Sequence, residues 1–288
     1  MHYLKLLRVH QYVKNCFIFL PLFFALRFTE IELVLKSIIA FSAFSLVASA
    51  VYIINDIKDI KEDKEHPKKK FRPIASGKVS VFQSWFFMTF VLIAGMGLAY
   101  YQSVNLLKIL GFYFVLNIFY TLWLKHIAPL DIFIIATGFL LRIMAGTDYA
   151  GITGIIPSHW IIVMTFLLAL FLAFAKRRDD VILAAEGRTT RKSIKGYNLE
   201  FINSAMSIMA AVIIVSYILY AMSPDVTDHF KSQNIYLSVI FVILGIFRYL
   251  QITFVYNKSG NPTEIVLKDR FIQGTILGWI SMFIYLVY

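Results

Sequence analysis

Residues 33–63 read LVLKSIIAFSAFSLVASAVYIINDIKDIKED. The apolar part is long enough to cross a bilayer, which takes about 20 residues. It ends at Asn55-Asp56 and runs without Gly or Pro into Ile57-Lys58-Asp59-Ile60-Lys61-Glu62-Asp63. With no breaker present, the helix is expected to continue out of the membrane. At about 100° per residue, Asp56, Asp59 and Asp63 then fall at roughly 0°, −60° and −20°, on one stripe. Three like charges on one stripe repel, and a divalent cation relieves the repulsion. Oxygen-only ligands favour a hard ion such as Mg²⁺, which is typically held by one or two carboxylates plus substrate phosphates. A solvated helix end is the plain alternative. The third Asp, the neighbouring Asn55 and the membrane-edge position favour a catalytic metal site of Asn55, Asp56, Asp59 and Asp63.

The rest of the 288 residues is built the same way. Hydrophobic residues make up 59% and charged residues 16%, and mean hydropathy is +0.72. A soluble domain is about 45–50% apolar and about 25% charged, so lipid must solvate much of this chain. Apolar runs at 15–30, 33–56, 81–101, 105–123, 128–149, 159–176, 200–222, 235–256 and 271–288 predict an all-α bundle of about nine transmembrane helices, one membrane-embedded domain over 1–288. Its two large polar connections are 57–80 and 177–199. No A-x-A-like cleavage site follows the first run, which reads as a retained span. The one cysteine, Cys16, reads as a small apolar residue, and no His pair has metal-ligand spacing.

Of 28 Lys and Arg, 22 fall on the side of the N-terminus and the two polar connections, and four on the other. The positive-inside rule therefore puts the N-terminus and both connections in the cytoplasm of an inner (cytoplasmic) membrane protein. The net charge of +11 is thus a topology signal with attraction to anionic headgroups, and no nucleic-acid-binding motif accompanies it.

Cations beside the acidic stripe suit a phosphorylated substrate. Lys70 and Arg72 follow it in the first connection, Arg72 framed by Phe71 and Pro73. The second connection, with Lys176, Arg177, Arg191 and Tyr197, is far more basic than acidic. Its adjacent Asp179 and Asp180 diverge by about 100° on a helix and cannot repeat the first stripe. Arg142 lies inside the fifth span, where a buried cation costs about 2.5–3.5 kcal/mol. It is expected to face the bundle interior or a water-filled cavity, for a substrate or for a bridged pairing with Asp131.

At Asn55–Asp63, N-D-x-x-D-x-x-x-D, followed by Arg72-Pro73-Ile74-Ala75-Ser76-Gly77, the chain resembles the UbiA-type intramembrane prenyltransferase superfamily over essentially its whole length. Further segments look like one branch, the polyprenyl-phosphate phosphoribosyltransferases, which include the decaprenyl-phosphate phosphoribosyltransferases. These are His10-Gln11-Tyr12-Val13-Lys14-Asn15, Lys70–Ala75, Gly138–Arg142, Lys176-Arg177, Arg191-Lys192-Ser193 with Tyr197, and Pro262-Thr263-Glu264 with Asp269-Arg270. Aromatic prenyltransferases of the superfamily carry a second DxxxD-type motif. Here Leu183 and Ala184 stand where its second acid would be.

The resemblance implies transfer of a phosphoribosyl group from phosphoribosyl diphosphate to a polyprenyl phosphate. Mg²⁺ on Asp56, Asp59, Asp63 and Asn55 would hold the donor. Lys14, Lys70, Arg72, Tyr120, Lys125, Lys176, Arg177, Arg191 and Tyr197 would bind substrate, and Arg142 would meet the lipid phosphate near the membrane edge. An aromatic prenyltransferase is the alternative, and a transporter a more distant one. A transporter needs polar residues through the bilayer midplane, and here they crowd one end. Lipid chain length and oligomeric state stay open, a homo-oligomer among the options.

Overall fold

The computed structural model describes residues 2–65, 69–186, 194, 196–258 and 262–287. Helices and turns make up these residues, with no strand among them. In chain order the α-helices are α1 (His2–Leu7), α2 (Leu20–Phe24), α3 (Ile31–Lys58), α4 (Ile60–Glu65), α5 (Val81–Gln102), α6 (Val104–Leu122), α7 (Leu130–Ala145), α8 (His159–Ala185), α9 (Leu199–Met222), α10 (Pro224–Phe230), α11 (Val239–Phe254), α12 (Pro262–Lys268) and α13 (Arg270–Val287). A 3₁₀ segment, Val9–Phe19, precedes α2.

Seven segments are long and apolar enough to cross a membrane: α3, α5, α6, α8, α9, Ile235–Phe254 and α13. The protein is a multi-pass integral membrane protein. The expected first and fifth spans are shorter than the rest. The first is broken at the junction before Pro21, whose nitrogen has no proton to donate back along a helix. The fifth is α7, whose 16 residues extend about 24 Å, short of a hydrocarbon core of about 30 Å. It ends at Gly146, where a Cβ would sit 1.9 Å from the Ile18 carbonyl oxygen. Only glycine allows that approach.

The chain divides into two compact units, residues 1–125 with 137–162, and residues 126–136 with 163–288. In the first, α3 is the central helix. Its buried face carries Ser37, Ala40, Ala43, Ser45, Ala48, Ser49 and Ala50, small residues that let neighbouring helices approach. A Cβ on Gly95 of α5 would lie 3.0 Å from both Leu46 and Val47 side chains. A reciprocal Ser80–Gln83 capping box starts α5, and Ser103 caps α6. In the second unit α11 packs on α9 and α13, and Asn198 caps α9.

Candidate active site

Asp56 lies in the last turn of α3. The helix stops at Asp59, whose φ of −94° and ψ of 17° leave the helical region, and α4 resumes at Ile60. Backbone bonds from Asp59 N to Asn55 O (2.9 Å) and Asp63 N to Asp59 O (2.8 Å) carry the chain through the break. Asp56 and Asp63 are 3% and 2% exposed, and they converge on one guanidinium. Arg72 Nη1 lies 3.0 Å from Asp56 Oδ1 and 2.6 Å from Asp63 Oδ2. Arg8 also pairs with Asp56, its guanidinium stacked on the Tyr52 ring.

Local sequence explains how Arg72 is held. After it the chain turns through Pro73–Val79, with bonds from Ser76 N to Arg72 O and from Val79 N to Pro73 O. Gly77 supplies a φ of +73° that other residues adopt at a cost. Ile74 and Val79 are buried in a small core with Leu6, Ala50, Ile53 and Met88, so the turn is clamped to α3 and α5.

The three carboxylates expected on one stripe are divided. Asp59 turns to Lys125, whose Nζ is 2.7 Å from Asp59 Oδ1. Among the described residues no three His, Cys, Asp or Glu side chains gather as a metal cluster. Asp59 stands at the edge of that stripe, and its pairing with Lys125 draws it away from Asp56 and Asp63. The chemistry of the remaining pair still fits a divalent ion. Two buried carboxylates share Arg72, with Arg8 also on Asp56, and two carboxylates plus substrate phosphate are a usual Mg²⁺ set. Asn55 is fixed by Thr121, whose Oγ1 lies 2.5 Å from Asn55 Oδ1. Tyr120 is half-buried beside Thr121 on α6, and Lys70 is exposed along the Phe71 ring.

Arg142 is buried inside its unit. It is 5% exposed, and its Nε donates to Asn15 Oδ1 (2.8 Å) and its Nη1 to the Gly138 carbonyl (2.6 Å). The rings of Phe44, Tyr113 and Phe139 surround it at 4.8–5.3 Å. Asn15 in turn donates to Ser45 Oγ at 2.8 Å. Ser45 is 11 residues before Asp56, about 16 Å down α3. Arg142 is therefore well below the carboxylates within its unit. It does not pair with Asp131. All its partners among the described residues are neutral, and they join the 3₁₀ segment, α3, α6 and α7.

Lys14, one residue before Asn15, is the second cation at this level. Burial lowers its ammonium pKa to about 8, with the Arg142 and Arg8 charges acting in the same direction. No carboxylate pairs with it among the described residues. Positive charge is thus matched around Asp56, Asp59 and Asp63 and unmatched below them.

In the second unit, Arg177 and Asp131 form a buried pair, 1% and 0% exposed, with Nε to Oδ2 at 2.7 Å. Asp180 adds a second contact to Arg177 at 2.6 Å, and Tyr197 OH donates to Asp131 Oδ1 at 2.6 Å. Lys176 is half-buried on the same helix. Arg191 lies outside the described residues. Sequence reasoning missed Arg178, which donates to Asn203, Asn257 and the Thr253 carbonyl and so ties α8 to α9 and α11. It also missed Arg8 as an Asp56 partner and Asn15 as the Arg142 partner. The one signal for Asn15 was its place in the His10–Asn15 segment.

The UbiA prenyltransferase family profile matches residues 16–272. The chain is 30% identical to a decaprenyl-phosphate phosphoribosyltransferase of Mycolicibacterium smegmatis, over 96% of this chain and 90% of that one. It is also 30% identical to a Corynebacterium glutamicum protein of the same name, over 99% and 86%. Among solved structures, a UbiA homolog from Archaeoglobus fulgidus bound to GPP and Mg²⁺ superposes with a TM-score of 0.66 at 18% identity, covering 98% of this chain and 100% of that one. The same homolog bound to DMAPP and Mg²⁺ gives 0.70 at 16%, covering 100% and 99%.

Proposed function

The chain belongs to the UbiA prenyltransferase family of transferases, and we propose that it transfers the 5-phosphoribosyl group of phosphoribosyl diphosphate to a polyprenyl phosphate. A phosphate oxygen of the lipid attacks the anomeric carbon, the bond from that carbon to the diphosphate breaks, and diphosphate leaves. The products are polyprenylphosphoryl-5-phosphoribose and diphosphate. The lipid phosphate is already an anion, so the protein needs no strong base. Its tasks are to position two anions and to stabilise the leaving group.

Asp56 and Asp63, with Asn55 beside them, would hold Mg²⁺, which when bound neutralises charge on the departing diphosphate. Arg72 would then be released from the two carboxylates to bind phosphate oxygens, with Arg8 and Lys125 as neighbouring cations. Lys14 and Arg142 supply an unmatched positive field from below, which draws the acceptor phosphate inward. Asp59, held by Lys125, positions the helix end. Lys70, Tyr120 and Lys176 remain candidate phosphate contacts. Arg177 and Tyr197 hold Asp131, which favours a bracing role for them. The site faces the cytoplasm, on the charge asymmetry of the connections.

The observation that carries this reading over aromatic prenylation is the state of the second connection. Its Asp180 is committed to Arg177, and Leu183 and Ala184 leave no acid partner four residues on. The donor would therefore be held by a single acidic motif. The test is a paired assay on purified protein with Mg²⁺, read by lipid mass spectrometry. One tube holds phosphoribosyl diphosphate and undecaprenyl phosphate, the other a prenyl diphosphate and 4-hydroxybenzoate. Phosphoribosylated lipid in the first tube alone is expected. Prenylated aromatic product in the second alone overturns the reading.

A further inference from the structure

The face of α3 opposite the carboxylates borders a cavity that the chemistry above does not use. In helical register Ile54, Ile57 and Lys58 lie roughly 100–200° around from Asp56. With Trp85 of α5 and Ile118, Thr121 and Leu122 of α6 they line a cavity of about 150 Å³. Its walls are hydrocarbon except for Thr121 and the lip at Lys58. The recess is open on one side, and its volume leaves room for a short stretch of a lipid chain. Lys58 is exposed at its edge, and so is Lys61 one turn on. The helix end thus has two faces, with Asp56 and Asp63 turned inward to Arg72 and lysines turned outward beside an apolar cavity.

We infer that this cavity is a binding site for an anionic phospholipid, with one acyl chain seated against Ile54, Ile57, Trp85 and Ile118 and the headgroup phosphate at Lys58. The occupant follows from charge. Among the described residues Lys58 pairs with no carboxylate, and a lysine at a membrane surface draws anionic headgroups. The site also connects to the chemistry. Thr121 forms part of the cavity wall and fixes Asn55 at 2.5 Å, so a seated chain braces α6 where it holds the first residue of the acidic motif. The inference rests on membrane embedding alone and does not depend on the donor or acceptor.

Trp85 supplies an internal probe. The full-length protein is placed in phosphatidylcholine nanodiscs carrying a fixed minor fraction of dibrominated phosphatidylglycerol or dibrominated phosphatidylcholine. Quenching assigned to Trp85 is obtained by difference from Trp85→Phe. The expected result is about a fivefold preference for quenching by the anionic lipid, the size of one lysine–headgroup attraction. Lys58→Gln should remove the preference. Ile118→Phe, which fills the cavity and touches no charge, should also remove the preference and leave only the quenching that surrounding lipid gives the exposed Trp85. Equal quenching by both lipids would identify ordinary annular lipid and overturn the site, as would no quenching by either. Loss of the preference on adding stoichiometric polyprenyl phosphate would also overturn it, by assigning the cavity to the acceptor.

Discussion

Arg72 Nη1 lies 2.6 Å from Asp63 Oδ2, and the same nitrogen reaches Asp56 at 3.0 Å. One guanidinium thus holds the position between two buried carboxylates where a divalent ion and its phosphate ligand would meet. Removing either carboxylate should therefore do more than remove a ligand, because it also leaves Arg72 misdirected. Asp63→Ala is expected to lower Mg²⁺-dependent turnover by about a hundredfold or more, with a normal monodisperse elution profile in detergent. Asp59→Ala, which loses only the Lys125 pair, should lose far less. Equal losses in initial-rate assays would contradict the division of the three acids. Arg72→Ala should raise the apparent KM for phosphoribosyl diphosphate, and an unchanged KM removes Arg72 from the donor site.

The neutral surroundings of Arg142 make a charge test available. Asn15→Asp would place a carboxylate against the Arg142 guanidinium and cancel its field. If Arg142 draws the acceptor phosphate, KM for polyprenyl phosphate should rise about tenfold, the loss of roughly 1.4 kcal/mol of attraction, with KM for the donor little changed. Arg142→Gln should act in the same direction. If the guanidinium only braces the 3₁₀ segment, Asn15→Asp should raise the melting temperature and leave both KM values alone.

In the second unit the Arg177–Asp131 pair sets up a different expectation. Deleting one partner of a buried pair leaves the other charge uncompensated, at about 3–5 kcal/mol, whereas deleting both costs less. Arg177→Met and Asp131→Asn should each lower the thermal unfolding midpoint in detergent, and the double variant should recover part of the loss. Additive losses in this cycle would mean that the two charges are not coupled.

The membrane bundle and the acidic motif were legible because both are local signals. Apolar runs separated by charged connections mark the spans, and Asp56 and Asp63 are seven residues apart on nearly continuous helix. What was not legible depended on partners remote in sequence. Arg8 meets Asp56 across 48 positions and Asn15 meets Arg142 across 127, and no periodicity reports such pairs. Helical spacing puts Asp59 beside the other acids, and its pairing with Lys125, 66 positions away, has no signature in that spacing. Arg142 was recognisable as a costly buried cation. Its partners were not, because they are set by packing of the 3₁₀ segment on α3.

Lys14 gives the site a pH dependence whose sign can be worked out. Its pKa falls from the ordinary 10.5 to about 8, chiefly because burial penalises the charged form. Below pH 8 the ammonium is charged and adds to the field that draws a phosphate. Above it the amine is neutral and that contribution is gone. KM for polyprenyl phosphate should therefore rise as pH passes upward through about 8, and Lys14→Arg, which stays charged, should flatten the rise. Stability moves the other way. Between about pH 8 and 10.5 the unfolded chain holds a proton at this lysine that the folded chain has released, so this group makes the fold more stable as pH increases across that window. Lys14→Met should remove both effects. A KM profile for the wild type that is flat from pH 7 to pH 9 would show that Lys14 does not meet the acceptor's charge.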